Sequence, residues 1–102
     1  MMNYNCIIGR ITKIESEKTE NGANKTVVTL AVPRSFKNID GEYETDFIPC
    51  TLFGNMAETT KEYCKKGDLV ATKGRIQSNE NGLEIIAERV SFLSTRKEED
   101  GE

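Results

Sequence analysis

The 102-residue sequence contains no histidine and no tryptophan, and only three cysteines. Histidine is the commonest general base and the usual partner of a catalytic serine or cysteine, so its absence excludes the most frequent nucleophilic sites. Cys6, Cys50 and Cys64 form no CxxC pair, so the ligand spacing typical of zinc is also missing. No glycine-rich phosphate loop is present. An enzyme is therefore the least favoured class, and we predict neither a metal nor another cofactor.

Long apolar runs are absent as well, which excludes a membrane-spanning helix. The first residues, MMNYNCIIGR, lack the basic start and apolar core of a signal peptide. We therefore expect a cytoplasmic protein with no membrane partner. Disulfides are rare in that compartment, so the three cysteines are predicted to be small buried side chains.

The net charge of −3 is concentrated at the end of the chain, because residues 97–102, KEEDGE, have a net charge of −3 by themselves. The rest of the chain holds 13 basic and 13 acidic side chains and is neutral. A neutral domain permits a local basic surface but is not itself evidence for nucleic-acid binding. The length predicts one folded domain, residues 1–95, and the last residues, 96–102, are predicted to be an acidic, disordered tail.

Patterns of apolar residues predict five strands and one helix. The helix has a possible capping box, Asn55 with Glu58, and Gly67 as a stop signal. Pro49 cannot donate to a β-ladder, so the third strand is predicted to be an edge or to contain a bulge there. The predicted strands are residues 3–15, 26–34, 42–54, 69–77 and 83–94, and the predicted helix is residues 55–66.

The third strand, EYETDFIPCTLFG, has two different faces because side chains alternate along a strand. Ile48, Cys50 and Leu52 form an apolar core face. Phe47 and Phe53 share the opposite face, about 20 Å apart at about 3.3 Å per residue. Aromatic rings on the outer face of a sheet suit stacking with nucleic-acid bases, so this face is the candidate binding surface.

Two other features leave alternatives open. Phe36 lies in a polar connection, where its ring either packs onto the core or serves for contact. Ile7 and Ile8 are neighbours, so both faces of the first strand are apolar at its middle. Such a strand must be covered twice. The second cover is either another part of the same chain or a second subunit.

Three strands, a helix and two strands follow one another in the order of an OB-fold, an all-β, five-stranded Greek-key barrel with a short helix between strands 3 and 4. This fold binds oligonucleotides or oligosaccharides across strands 2 and 3 and its 1–2 and 4–5 loops.

Several blocks in this order resemble the bacterial single-stranded DNA-binding protein family, homotetrameric OB-fold proteins of DNA replication, recombination and repair. The blocks are IIGRITK, TLAVPRSFKN, DGEYETDFIPCTLFGNMAE and KKGDLVATKGRIQ. The resemblance covers residues 3–94. It implies that Phe47 occupies a position where the family often has a base-stacking tryptophan, and that Phe53 matches a second aromatic position.

The resemblance further implies two sets of residues that make contacts. Phe36 lies near the aromatic position after the second strand, and the first strand matches the family's dimer-forming strand. The implied DNA-binding residues are Phe36, Phe47, Phe53, Arg34, Lys37, Lys73, Arg75 and Arg10, and the implied oligomer interface is Tyr4, Cys6, Ile7 and Ile8.

The sequence departs from the family pattern at both the 4–5 loop and the C-terminus. The short SNENG hairpin lacks the stacking aromatic of the longer loop in many relatives. The ending KEEDGE is acidic but lacks the terminal Pro-Phe that recruits partner proteins in the family, which leaves replication or repair partners open.

The resulting hypothesis is a nucleoid-associated protein that binds single-stranded DNA by stacking and phosphate contacts, without chemistry and with slight sequence preference. A homotetramer is expected, with a dimer as the runner-up. One alternative is a primosomal or other replication-accessory module that acts mainly through protein–protein assembly. Another is a pure interaction module that buries the same aromatic rings in an interface.

Overall fold

The computed structural model describes residues 1–95. Its strands close into one barrel in the order β1-β2-β3-β5-β4, which confirms the predicted five-stranded OB-fold. The predicted tail, residues 96–102, lies outside the described residues. The elements are β1 (Asn5–Lys18), β2 (Asn24–Lys37), β3 (Tyr43–Phe53), α1 (Gly54–Tyr63), β4 (Leu69–Asn79) and β5 (Gly82–Ser94).

β1 belongs to both sides of the barrel. Asn5–Arg10 pairs antiparallel with β4, and Arg10–Lys18 pairs antiparallel with β2, with a register shift between Ile11 and Lys13. Such an irregularity bends a strand and increases its twist, which lets β1 turn from one neighbour to the other. The turn also needs close backbone approach, because a Cβ on Gly9 would lie only 2.7 Å from the carbonyl oxygen of Ala31.

The barrel closes where β3 and β5 run parallel, through the pairs Cys50–Ile85 and Thr51–Ile86. Pro49 lies one residue before this pairing begins, at a point where β2 is the only described strand beside β3, and the β2 ladder shows no register shift there. Of the two predicted explanations for Pro49, the edge position is therefore the one observed.

The core comes from the inward side chains of the strands and from one helical residue. Alternate residues of β2 and β3 face inward, so Val28 is opposite Cys50 and Leu30 is opposite Ile48. α1 covers one end of the barrel, with Ala57 and Thr60 buried, and the hydroxyl of Thr26 donates to the carbonyl of Ala57 at 3.1 Å. The core residues are Ile11, Val28, Leu30, Cys50, Leu52, Ala57, Val70 and Ala87.

The helix differs from its prediction at both ends. It begins at Gly54 after Phe53, with no side-chain cap, so the predicted capping box of Asn55 and Glu58 is wrong. It ends at Tyr63, and the next residue, Cys64, is extended. Gly67 does have the left-handed φ of +94°, but in the turn that follows rather than at the helix end. There the Gly67 amide donates to the carbonyl of Ile11 at 2.7 Å, so this bond joins the turn to β1.

Two predictions about β1 and the cysteines also need correction. The resemblance implied that Ile7 belongs to the oligomer interface, but its side chain packs against the core, because Ile7, Gly9 and Ile11 share the inward face. Cys50 is buried as predicted and Cys64 is half-buried, whereas Cys6 is exposed. Cys6 lies one residue away from Ile7 and therefore on the outward face of β1.

Candidate nucleic-acid interface

The outer face of the β2–β3 pair presents two aromatic rings. Phe47 is opposite Ala31 and Phe53 is opposite Lys25, so the predicted common face is observed. Phe47 is 63% exposed and Phe53 is 40% exposed. Monomeric proteins seldom expose several large apolar side chains on one surface without a partner. The two rings are thus available for stacking, in the positions that the sequence predicted.

A cleft of about 400 Å³ lies beside this face. One wall is the outer face of the β2–β3 pair, and the other is the end of the β4–β5 hairpin. Its lining is mostly apolar, and Leu83 at the hairpin tip is 79% exposed. The cleft gives the aromatic face a second side against which a flat, partly apolar ligand can pack. The lining residues are Val27, Pro49, Thr51, Ile76, Leu83, Glu84 and Ile85.

Glu84 holds the two walls of the cleft together. Its Oε2 accepts a hydrogen bond from the hydroxyl of Thr51 at 2.9 Å, and its Oε1 accepts one from Asn79 at 3.0 Å. The ammonium group of Lys25 lies 3.9 Å from Oε2. Because these partners belong to β3, β4 and β2, the half-buried carboxylate of Glu84 fixes the hairpin relative to the aromatic face.

Sequence reasoning missed part of this surface. Lys25, Tyr43, Ile76 and Leu83 were not singled out, although Tyr43 is 60% exposed. Strand alternation from Phe47 already puts Tyr43 on its face, and this signal was available in the sequence. No comparable signal existed for Leu83, because its place in the cleft depends on the parallel pairing of β3 with β5, which brings together residues far apart in the chain.

The far end of the β2–β3 pair carries Phe36 and two of the predicted cationic residues, Lys37 and Arg34. Phe36 is 63% exposed, so of the two interpretations of its ring, packing on the core is wrong. The ammonium group of Lys37 lies 5.8 Å from the centre of the Tyr43 ring, within reach of a cation–π contact. Lys37 therefore lies beside the aromatic ring of Tyr43.

Arg34 is bound by two carboxylates. It donates to Asp46 from Nε and Nη2, at 2.9 to 3.2 Å, and to Glu44 from Nη1 at 2.8 Å. The hydrogen bonds from Arg34 lower the pKa of Asp46 below its ordinary value, and the same bonds raise the pKa of Arg34. The guanidinium group thus remains fully charged, but its charge is already neutralised within the protein.

The structure does not bring the other three cations beside Phe47 and Phe53. Lys73 and Arg75 lie on β4, which one strand separates from each of β2 and β3. Arg75 pairs with Glu88 at 2.8 Å, and the guanidinium group of Arg10, on β1, donates to the carbonyl of Gly67 at 2.9 Å. Lys73 lies over the ring of Tyr4, with 5.1 Å between its ammonium nitrogen and the ring centre.

The outward face of β1 is a second exposed apolar surface. Tyr4, the residue before β1, is 66% exposed and Ile8 is 53% exposed, and Cys6 between them is exposed too. Cys6 is opposite Lys73 in the β1–β4 ladder. The structure therefore groups Lys73 with three of the predicted interface residues and separates it from the β2–β3 face.

A closed five-stranded barrel with exposed aromatic rings on strands 2 and 3 is typical of OB-fold proteins, which bind oligonucleotides or oligosaccharides on this face. Comparison with known proteins narrows the class. The sequence profile described as "Single-strand binding protein family" matches residues 2–93. The chain belongs to this family.

Relatives match nearly the whole chain. The chain is 43% identical to "Single-stranded DNA-binding protein B" of Bacillus subtilis, with 97% of this chain and 96% of the relative covered. It is 41% identical to "Single-stranded DNA-binding protein 1" of Clostridium acetobutylicum, with 95% and 98% covered. Both identities are high enough to imply a shared fold over the aligned length.

A solved structure agrees with the architecture. The single-stranded DNA-binding protein of Thermus aquaticus, solved as a deletion mutant, superimposes with a TM-score of 0.73 over 93% of this chain, at 23% identity. This chain spans 52% of the Thermus aquaticus chain, and at that identity the likeness supports the fold alone. Within residues 1–95, no helix is long and apolar enough to cross a membrane.

Proposed function

We propose that this protein binds single-stranded DNA across the outer face of β2 and β3 and the adjoining cleft, and so protects exposed single strands during replication, recombination or repair. The observation that carries the proposal is the pair of exposed rings, Phe47 and Phe53, on one face of the barrel. The names of the Bacillus and Clostridium relatives support it. Its place of action is the nucleoid in the cytoplasm.

The mechanism is stacking, assisted by phosphate contacts. Every base has a flat π-face, and a base stacked on an aromatic side chain contributes about 1–3 kcal/mol without regard to sequence. Duplex DNA keeps those faces paired and stacked inside the helix, so rings fixed on a sheet cannot reach them. Selectivity for single strands therefore follows from geometry, and sequence preference is slight.

Lys37 is the cation beside the aromatic rings for which the described residues provide no carboxylate partner, whereas Lys25 already pairs with Glu17 at 3.4 Å and with Glu84 at 3.9 Å. Lys37 lies over Tyr43 at one end of the face, and Lys25 is opposite Phe53 at the other. Binding of DNA phosphate groups to cationic side chains releases counterions, so the affinity decreases as the salt concentration increases. The slope of log affinity against log salt is proportional to the number of phosphate contacts. Because the described residues provide so few unpaired cations on this face, we expect a shallow salt dependence and a large share of the affinity from stacking.

The decisive experiment is a titration of fluorescently labelled oligo-dT and of a duplex of the same length, at two salt concentrations. We expect clearly tighter binding of the single strand, with a modest decrease at the higher salt. Equal affinity for both forms would contradict the proposal. A steep decrease of affinity with salt would contradict the expectation that stacking contributes most of the affinity. It would not contradict the selectivity for single strands.

We further propose that the protein assembles through β1 into a homotetramer, with a dimer as the alternative. Within the described residues, Asn5–Ile8 pairs with β4 on one side and has no partner strand on the other. An unpaired strand edge is suited to pair with a second copy, and the exposed side chains of Tyr4 and Ile8 add apolar contact area. Light scattering distinguishes the two assemblies by mass.

A further inference from the structure

Beyond the barrel, β2 and β3 continue as a two-stranded ribbon whose ladder is interrupted. Pro33 is opposite Thr45 and Lys37 is opposite Tyr43, with a register shift between the two pairs. Three residues of β2, 34–36, therefore stand opposite the single residue Glu44. A bulge of this kind leaves the extra residues without ladder partners, so other contacts must fix their position.

Arg34 is the first residue of this bulge, and its side chain spans the interruption. Its guanidinium group binds Asp46 on one side of the bulge and Glu44 directly across from it. Bidentate arginine–carboxylate pairs fix geometry as well as charge. Glu44 in turn accepts a hydrogen bond from the side chain of Asn38 at 2.9 Å.

Asn38 extends the network into the turn that joins the two strands. Its side-chain oxygen accepts hydrogen bonds from the amides of Asp40 and Glu42, at 2.9 and 3.0 Å. Arg34 thus lies at one end of a continuous set of side-chain bonds that runs from β2 across β3 and around the turn. The ribbon holds Phe36, Lys37 and Tyr43, which belong to the proposed binding surface.

The position of Arg34 is unfavourable for a direct phosphate contact. Asp46 and Glu44 alternate with Phe47 along β3, so the carboxylates that bind Arg34 lie on the face opposite the Phe47 ring. The cluster of one cation and two anions has a net charge of −1, which repels a phosphate group. A cation that is saturated by carboxylates on the reverse face is better suited to hold the ribbon than to hold DNA.

We propose that Arg34 is a positioning residue, which fastens the bulged segment of β2 to β3 so that Phe36 and Tyr43 are presented to single-stranded DNA, and that it makes no phosphate contact itself. This inference rests on the proposed function. It replaces the phosphate contact that the family resemblance implied for this residue.

The test uses the variants Arg34→Ala and Arg34→Lys, with oligo-dT affinity measured over a series of salt concentrations. We expect both to weaken binding by about tenfold, because each variant removes one bidentate, charge-assisted pair from the ribbon. The slope of log affinity against log salt should not change, because the number of phosphate contacts stays the same. Lysine should not rescue binding, since a single ammonium group cannot bridge Glu44 and Asp46 in the same way.

A second variant separates this role from charge repulsion. Glu44→Gln with Asp46→Asn removes two negative charges and should nevertheless weaken binding, because the ribbon is loosened. Lys66→Ala is the control for loss of one positive charge, since this exposed residue lies after α1, outside the ribbon. The affinity of Lys66→Ala for oligo-dT should equal that of the wild type. Circular dichroism and thermal melting confirm that the barrel is intact in each variant.

Three results would overturn the inference. The first is a slope that decreases by about 0.7 in Arg34→Ala, the value for one phosphate contact to a single strand, with rescue by lysine. The second is tighter binding by the variant without the two carboxylates. The third is an unchanged affinity of Arg34→Ala while Phe47→Ala is impaired. If the wild type itself does not prefer single strands, the proposed function fails instead, so the two failures are distinguishable.

Discussion

Phe47 lies directly opposite Ala31 in the β2–β3 ladder, so one of the largest side chains of the outer face stands beside one of the smallest. The alanine leaves the ring unsupported by a neighbouring bulky group, and 63% of Phe47 remains in contact with water. At the other end of the face, Phe53 is opposite Lys25, whose aliphatic stem is long enough to cover part of the ring. This difference in neighbours agrees with the lower exposure of Phe53.

The first prediction concerns these two rings. Phe47→Ala should reduce the affinity for oligo-dT by about 1–3 kcal/mol, the range for one stacked base. Phe53→Ala should cost less affinity, because less of its ring is exposed. Fluorescence anisotropy measures both losses. Neither change should unfold the barrel, since both rings lie outside the core cluster.

Phe92→Ala is the matched control for the aromatic rings. Phe92 is 51% exposed, but it lies on β5 against the end of α1, outside the cleft. Its loss should leave the affinity unchanged. If Phe92→Ala and Phe47→Ala weakened binding equally, the assignment of the binding face to β2 and β3 would be wrong.

The second prediction concerns the wall of the cleft formed by the β4–β5 hairpin. Leu83→Ser should weaken binding of oligo-dT by about 1 kcal/mol, since a mostly exposed leucine gains only part of its full burial energy on contact with a ligand. Stability should be nearly unchanged, because Leu83 is 79% exposed in the free protein. Leu93→Ser, on the same strand but outside the cleft, is the control. Equal affinities of the two variants would mean that the hairpin tip does not contact DNA.

How much of this structure the sequence could predict depends on the range of the contacts involved. The face shared by Phe47 and Phe53 follows from strand alternation alone, a local rule, and it was predicted correctly. The inward direction of Ile7 required knowledge of which face of β1 meets the core. Since both faces of that strand are apolar, alternation could not decide between Ile7 and Ile8.

The cations show a second limit of the sequence. Lys37, Lys73 and Arg75 are all cationic residues in the sequence, but only the order of strands in the barrel decides which of them is near the aromatic rings. β4 pairs with β1 and β5, which puts Lys73 beside Tyr4 instead. The partners of Arg34 depend on a three-residue bulge, and no turn or charge signal in the sequence predicts its register.

The third prediction tests the close approach of β4 and β5. A methyl group on Gly74 would overlap the carbonyl oxygen of Ile86, and the backbone cannot yield there without breaking the ladder next to a register shift. Gly74→Ala should therefore lower the free energy of unfolding by about 1–3 kcal/mol, the usual cost of overpacking. Urea denaturation measures the change. Ser78→Ala, at an exposed position of the same strand, should leave the midpoint unaltered, and a Gly74→Ala midpoint equal to that of wild type would show that the strands can separate without cost.

The fourth prediction tests assembly through β1. Ile8→Asp places a charge in the middle of the proposed interface, and burial of an unpaired carboxylate is costly, so the variant should have a smaller mass by light scattering. Ile39→Asp is the control, because Ile39 is 99% exposed in the turn between β2 and β3. The same mass for Ile8→Asp and wild type would exclude this face as the interface.

The reactivity of the cysteines toward alkylation is a second test of the β1 interface, independent of the mass from light scattering. Burial raises the pKa of the Cys50 thiol above its ordinary value, and burial together with Asp68 raises the pKa of Cys64. A raised pKa means less thiolate at neutral pH, so Cys50 should resist alkylation in the folded protein and Cys64 should react faster only as the pH increases.

Cys6, exposed in the single chain, should be protected in the wild-type oligomer and become reactive in Ile8→Asp, as followed by mass spectrometry. Rapid alkylation of Cys6 in the wild type would show that the outward face of β1 remains open to solvent, and the proposed interface would then have to lie elsewhere on the barrel.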